Sequence, residues 1–365
     1  MGFSSLRTVA FRNLADAETD VRGKDIFLVG ENGQGKSNFL EALYFCSYAS
    51  SFRGAKDRDL VKTGEKDCSA SVTLDKSIYS NVNVAFRDGK KTITLDGKRL
   101  EDRKELLSVA PAIVFCHEDM EFVSGSPERR RWFFDQCRSL WDPLYLEDLR
   151  KYRQVLKSRN ALLRKCAGEK QFRPDSETSA TLDALDPLLA QYGLELKRRR
   201  RETAEEFSTV FEPLYREISG LAGIGVKYHS SWKDENVNDI IALLSEKREA
   251  DISLGVSGYG PHRDRYHFTR EGEDFSGKAS TGQRRLVTLL LRVAQARIFS
   301  ERTGKKPVLL LDDVLLELDG EKRKKFLLLM PEYEQAFFTF LSGELYERYR
   351  KNDTMVYNVN GGKVR

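Results

Sequence analysis

The chain has 365 residues, and its 61 Lys and Arg residues against 56 Asp and Glu residues give a formal net charge of +5. This charge is compatible with an anionic partner but does not identify one. No apolar run approaches the roughly 20 residues that a transmembrane helix needs, and the five cysteines form no C-x-x-C pair of the kind that binds zinc. We therefore expect a cytoplasmic protein with no membrane partner and no zinc site.

The first strong motif is a phosphate loop between a predicted buried strand, Asp25–Val29, and a predicted helix that opens at Asn38. It fits the pattern G-x-x-x-x-G-K-[ST] at every fixed position. Its glycines let backbone N–H groups close around phosphate oxygens. We expect Lys36 to reach the β- and γ-phosphates of ATP and Ser37 to bind Mg²⁺. The candidate ATP-binding residues are Gly30, Glu31, Asn32, Gly33, Gln34, Gly35, Lys36 and Ser37.

The segment after this helix contains Arg53, a candidate nucleotide contact because guanidinium groups bind phosphate well. A surface arginine without such a role is the alternative. Farther along, residues 68–74, 82–86 and 92–95 are rich in β-forming residues and predict strands. The short apolar run Ala112–Phe115 is typical of a buried strand.

A helical block is predicted from Ser126, a good N-cap residue followed by a proline, to about residue 247. Within this block, the polar segment 168–180 predicts a loop between helices. The block differs in composition from the segments on either side of it, where strand signals are frequent. Strand signals return at 253–256 and 265–268.

The densest basic run of the chain, 197–201, lies in this helical block. Its residues Arg198, Arg199 and Arg200 are candidate DNA contacts, because arginines neutralise phosphates and release their counterions. The alternative is a solvated helix face balanced by nearby acids such as Glu195. No base-reading motif accompanies the run, so any DNA binding is expected to be independent of sequence.

The pentapeptide 279–283 precedes a long predicted helix and resembles the L-S-G-G-Q signature of the ABC ATPases. A helix N-terminus with a serine and free backbone N–H groups is a ready anion site. The alternative is a simple Ser/Thr helix cap. The candidate signature residues, which would act on the nucleotide of a second molecule, are Ser280, Thr281, Gly282 and Gln283.

The apolar strand Val308–Leu311 ends in Asp312 and Asp313, which is a Walker B pattern. The first aspartate is expected to hold Mg²⁺ and the second to polarise the attacking water. A strand that ends in a solvated acidic turn is the alternative. Asp319, just beyond, matches the position of a D-loop aspartate.

Lys36 and Asp312 are 276 residues apart, much farther than in a compact P-loop domain. This spacing predicts an insertion. We expect residues 1–125 and 248–365 to form the ATPase head and residues 126–247 to form an inserted helical lobe.

Together these motifs resemble the SMC-like branch of the ABC ATPases, and within it the RecF family of bacterial recombination mediators. The likeness covers the whole chain in motif order and length. Outside the ATPase core it is carried by residues 51–60, 114–119, 125–131 and 260–264.

The resemblance implies an α/β fold, a P-loop NTPase of the ABC-ATPase head type with an inserted helical lobe. It implies an ATP-dependent homodimer in which the signature of each molecule faces the phosphate loop of its partner. It further implies binding of single-stranded, duplex and gapped DNA in repair and replication, and action with RecR and RecO to load RecA.

Three departures from the family pattern suggest slow hydrolysis that times DNA release. Glu118 is the nearest match to a Q-loop glutamine, the segment 335–340 offers only Thr339 where a switch histidine is usual, and Asp313 is shorter than the usual glutamate. The alternatives are a transporter-type ABC subunit, which the long motif spacing disfavours, and an SMC-like scaffold that does not contact DNA.

Overall fold

The computed structural model describes residues 2–75, 77–169 and 174–365. The chain divides into two compact units, of which the first comprises Met1–Asp119 with Thr288–Arg365 and the second Met120–Val287. Residues 248–287 thus belong to the second unit. The predicted division into an ATPase head and an inserted lobe with limits at 126 and 247 stays a prediction.

The strands of the described residues are β1 (Gly2–Val9), β2 (Ala17–Asp20), β3 (Asp25–Val29), β4 (Cys68–Asp75), β5 (Asn81–Arg87), β6 (Lys90–Leu95), β7 (Lys98–Arg99), β8 (Ala112–Phe115), β9 (Ile224–His229), β10 (Arg265–Arg270), β11 (Glu273–Asp274), β12 (Val308–Leu311), β13 (Gln335–Phe340), β14 (Thr354–Asn360) and β15 (Lys363–Val364). The helices are α1 (Lys36–Tyr48), α2 (Arg103–Val109), α3 (Glu121–Ser124), α4 (Pro127–Trp141), α5 (Pro143–Gly168), α6 (Ser176–Ser219), α7 (Val237–Glu246), α8 (Arg248–Leu254), α9 (Phe275–Lys278), α10 (Thr281–Thr303) and α11 (Gly320–Leu329).

The first unit contains a six-stranded sheet in the order β15-β14-β3-β13-β12-β8, in which β14, β3, β13, β12 and β8 are parallel to one another and β15 is antiparallel to β14. Every residue of β3, β8, β12 and β13 is buried. This explains the apolar runs that fill most of their length, because a parallel sheet is covered on both faces. The phosphate loop follows β3 and the paired aspartates follow β12, so both motifs leave the same edge of the sheet.

A second, antiparallel sheet of the first unit has the order β2-β1-β4-β5-β6-β7. Burial alternates along β4, with one side chain in and the next partly exposed. This period of two is that of a half-buried strand. The strands predicted at 68–74, 82–86 and 92–95 from their content of β-forming residues are confirmed as β4, β5 and β6.

The second unit is mainly helical and carries a small antiparallel sheet in the order β11-β10-β9. The long helices α5 and α6 pack against each other through apolar side chains, and Arg159 of α5 is fully buried between Asp186 and Asp251 at 2.8 and 2.7 Å. A buried cation of this kind requires both carboxylates, because an unpaired buried charge is very costly.

Two predictions for the second unit need comment. The strand predicted at 253–256 is wrong, because α8 continues to Leu254 and ends at Gly255 in a left-handed conformation with φ of 67°. A short apolar run does not distinguish helix from strand. The loop predicted at 168–180 overlaps both neighbouring helices, which end at Gly168 and begin at Ser176, and its residues 170–173 lie outside the described residues.

No helix in the part of the chain that the structure describes is long and apolar enough to cross a membrane.

Candidate nucleotide site

The phosphate loop has the backbone geometry of an anion cradle. Gly33 and Gly35 have φ angles of 77° and 117°, in the region that L side chains rarely adopt. A Cβ on Gly30 would lie 2.3 Å from the carbonyl oxygen of Val359, so only glycine fits there. Helix α1 begins at Lys36 without a side-chain cap. Its first N–H groups thus have no capping side chain as acceptor, and the polyphosphate of a nucleotide could accept from them.

Lys36 is buried, with 4% of its surface exposed. Its Nζ donates to the carbonyl oxygens of Gly30 and Glu31 at 2.8 and 3.0 Å. These bonds fold the side chain back over the loop. The ammonium group of Lys36 is thus held against the phosphate loop, where a phosphate oxygen can replace a carbonyl oxygen as its acceptor.

Asp312 lies beside Ser37, which hydrogen-bonds its carboxylate. Burial raises the pKa of Asp312 to about 6, while the hydrogen bond from Ser37 and the charge of Arg53 oppose this rise. A carboxylate that loses solvation on folding is stabilised by a bound cation. The hydroxyl and carboxylate oxygens of this pair are ligands that Mg²⁺ prefers, so the residues fit the predicted metal.

Asp313 is held by Thr339 of the neighbouring strand β13. The Thr339 hydroxyl accepts from the Asp313 N–H and lies within hydrogen-bond distance of the Asp313 carboxylate, both at 2.7 Å. Asp313 also has a left-handed backbone, with φ of 54°. Thr339 is thus in contact with the second aspartate, although a threonine cannot exchange a proton at neutral pH as a switch histidine does. It can fix the direction of the Asp313 carboxylate.

Arg53 lies beside the phosphate-loop helix and the Walker B aspartates. Its guanidinium donates to the side-chain oxygen of Asn38 at 3.0 Å and lies 4.0 Å from the carboxylate of Asp312. The fully buried Glu41 of α1 anchors this segment, since it accepts from Ser51 and lies 3.8 Å from Arg53. The structure thus places Arg53 at the candidate site, while its contact with a nucleotide stays a prediction.

Two carboxylates flank the pair of aspartates. Glu118, the candidate Q-loop residue, is exposed and close enough to Asp312 to raise its pKa. Glu344, which sequence reasoning missed, follows β13; burial raises its pKa, whereas the nearby charges of Arg323 and Lys36 lower it. No motif marks Glu344, since its place depends on the order of strands in the sheet.

The signature residues belong to the second unit. The Ser280 N–H donates to Oε1 of Gln283 at 2.8 Å, and the Gln283 N–H donates to the Ser280 hydroxyl at 3.2 Å. This reciprocal pair is a capping box at the start of α10. These residues therefore do cap the helix, which was the alternative to a signature. Ser280, Thr281 and Gly282 are nevertheless exposed. A Cβ on Gly282 would meet nothing within 4 Å, so folding of this chain does not require glycine there.

Asp319 also caps a helix. Its carboxylate accepts from the backbone N–H of Lys322 at 2.9 Å at the start of α11. Hydrogen bonding by Lys322 lowers the pKa of Asp319. The side chain of Glu317, two residues before Asp319, lies outside the described part of the chain.

Two of the three candidate DNA contacts are engaged inside the second unit. Arg200 is buried and forms paired hydrogen bonds with Asp135 at 2.8 and 2.9 Å, so its prediction as a DNA contact is wrong. Arg199 is mostly buried and donates to Glu195 and Asp142.

Arg198 is exposed but forms ion pairs with Glu195 and Glu202. The basic run thus matches the balanced helix face that the sequence left open. The neighbouring carboxylates largely neutralise the positive charge of this run.

Comparisons with known proteins place this geometry in a family. The chain matches the RecF/RecN/SMC N terminal domain over residues 3–363. It is 42% identical over 359 residues to the DNA replication and repair protein RecF of Treponema pallidum (strain Nichols), an alignment that covers 98% of this chain and 99% of that relative.

Solved structures agree. The recombination mediator protein RecF with ATP in the RecFOR pathway has a TM-score of 0.86 and 28% identity, and the match covers 100% of this chain and 98% of that one. An Smc head domain from Pyrococcus furiosus, at a TM-score of 0.52, 17% identity and coverage of 100% and 95%, is similar in fold alone. The predicted ABC-head fold class is confirmed, and the chain belongs to the RecF family.

Proposed function

We propose that this chain binds ATP with Mg²⁺ in the site formed by the phosphate loop and Asp312. The uncapped N-terminus of α1, the buried Lys36 and the Ser37–Asp312 pair support this proposal. Lys36 would neutralise the terminal phosphates, and Ser37 and Asp312 would hold the metal. Bound Mg²⁺ would supply charge neutralisation at the β- and γ-phosphates.

ATP binding would close two copies of the chain into a homodimer that binds DNA. Ser280, Thr281, Gly282 and Gln283 of one copy would contact the nucleotide of the other, which agrees with the exposure of the first three. As in the recombination mediators that it resembles, the chain would act in DNA repair and replication in the cytoplasm. It would recognise single-stranded, duplex and gapped DNA and work with RecR and RecO to load RecA.

Hydrolysis would be slow and would time release of DNA. Asp313 would polarise the attacking water, and Thr339 would orient its carboxylate. A short carboxylate held by a threonine is a weaker arrangement than a glutamate with a histidine. ATP would thus act as a gate rather than as a source of work.

The observation that carries the proposal is that the phosphate loop and the Walker B aspartates lie at the same edge of the parallel sheet. The match to the family along the whole chain supports it. Its test is equilibrium binding of a fluorescent ATP analogue to the full chain, with and without Mg²⁺. We expect Lys36→Ala to reduce affinity at least tenfold, while Lys98→Ala, an exposed lysine of β7, leaves it unchanged. Full-strength binding by a folded Lys36→Ala protein would refute the assignment.

A further inference from the structure

The strand pair β9–β10 of the second unit carries an unusual set of side chains on one face. Arg265 lies directly opposite His229, and His267 lies directly opposite Lys227. Residues directly opposite each other in an antiparallel pair point to the same face. Lys227, His229 and Arg265 are exposed and His267 is partly exposed. These four residues are called the ribbon face below.

The ribbon face is not neutralised by its surroundings. Within the described residues, none of its four side chains forms an ion pair or a side-chain hydrogen bond. The two histidine rings contact each other edge to face at 5.0 Å between centroids. Asp274 of β11 acts electrostatically on His267, but its carboxylate accepts from the N–H of Gly277 and caps α9.

This arrangement contrasts with the basic run on α6. There Arg198 forms ion pairs with Glu195 and Glu202, and Arg201 forms one with Glu235. The run that looks most basic in the sequence is therefore locally balanced. The ribbon face retains its charge. Its two permanent cations, Lys227 and Arg265, are 38 positions apart in the chain.

Folding does not account for the ribbon face. Lys227 and Arg265 are like charges on one face, and each lies directly opposite a histidine rather than an acid, so the pairing across the strands supplies no favourable ion pair. Partial burial lowers the pKa of His267, and the nearby positive charges of His229, Arg130 and Arg265 add to this effect, while Asp274 opposes it. The face thus gains no stabilising charge pair on folding, which suggests a role toward a partner that carries negative charge.

We infer that the ribbon face contacts the phosphate backbone of DNA. This inference rests on the proposed function, since it names the surface by which the ATP-bound chain would hold its DNA. Charge complementarity selects a polyanion, and exposed lysine and arginine side chains neutralise phosphates with release of counterions. The contacts would be to the backbone, so they carry no sequence preference.

The test compares two double variants of the full chain that change net charge equally. Lys227→Gln with Arg265→Gln removes the two permanent charges of the ribbon face. Arg198→Gln with Arg201→Gln removes two exposed but paired charges of α6. Fluorescence anisotropy with a labelled gapped duplex, in the presence of a non-hydrolysable ATP analogue, gives the affinity across a series of salt concentrations.

We expect the ribbon variant to lose at least about tenfold in affinity near 0.1 M salt, and the magnitude of its log–log salt slope to fall by about 2. The α6 variant should stay within about threefold of wild type. Because the ribbon charges repel each other, the melting temperature of the ribbon variant should be unchanged or higher.

Wild-type affinity and slope in the folded ribbon variant would overturn the inference, and so would a loss confined to the α6 variant. If the wild-type chain itself binds no DNA with the ATP analogue, the proposed function fails rather than the choice of surface.

Discussion

Residues defined by a local backbone pattern are the ones that the sequence predicts well. The phosphate loop is such a pattern, because its glycines, lysine and serine act through consecutive backbone positions. The roles of Thr339 and Glu344 depend instead on strand order, since β13 lies between β3 and β12 only in the folded sheet. No spacing in the sequence contains that information.

The error at Arg200 has a simple physical cause. Successive residues of an α-helix are about 100° apart around its axis, so four consecutive arginines cannot share one face. At least one member of such a run must point toward the packed side. In this chain Arg200 does so and meets Asp135.

The difference between Arg200 and Arg198 predicts unequal effects on stability. Arg200→Gln removes the two guanidinium hydrogen bonds to the buried carboxylate of Asp135, and should lower the free energy of unfolding by about 3–5 kcal/mol. Arg198→Gln removes only exposed ion pairs, and should change it by less than about 1 kcal/mol. Urea denaturation of the two variants measures both. Equal midpoints would mean that the Arg200–Asp135 pair does not stabilise the second unit.

Thr339 provides a test of the Walker B aspartates. Thr339→Val keeps the shape but removes the hydroxyl that holds Asp313, with an expected cost of about 1–3 kcal/mol in stability. Single-turnover hydrolysis should slow, while affinity for ATP stays close to wild type. Thr339→Ser should restore the rate, because it restores the hydroxyl. Slow hydrolysis in both variants would indicate a packing defect instead.

At the scale of elements, the buried strands β3, β8 and β12 could be predicted because a parallel sheet imposes continuous apolar runs. The strand predicted at 253–256 failed, since the same composition suits the end of a helix. The ribbon face could not be predicted either. Its charge arises from the register between β9 and β10, and register is set by tertiary packing.

The start of α10 gives a prediction at this scale. Gly282→Glu places a carboxylate in open space in the first turn of a helix, where it should stabilise the helix by roughly 0.3–1 kcal/mol. If the signature contacts the nucleotide of a second molecule, the added charge should repel its γ-phosphate and prevent dimer formation. Sedimentation with a non-hydrolysable ATP analogue measures the dimer fraction. An unchanged fraction would leave Ser280 and Gln283 with a capping role only.

At the scale of the molecule, the family match spans residues 3–363 and thus includes both compact units. The motifs of the two units are separated by long stretches of sequence, and the signature and the Walker B pattern are each a weak signal alone. Their order along the chain is what identified the family. The proposed ATP gate requires both units, since the phosphate loop lies in the first and the signature in the second.

The central claim is that ATP controls DNA binding, and the most direct test is the affinity of the full chain for a labelled gapped duplex. Anisotropy should be measured without nucleotide, with ADP, and with Mg²⁺ and a non-hydrolysable ATP analogue, for wild type and for folded Lys36→Ala. We predict tight binding only by wild type with the ATP analogue. Equal affinity in all three nucleotide states, or a gain with the analogue that survives in Lys36→Ala, would contradict the claim.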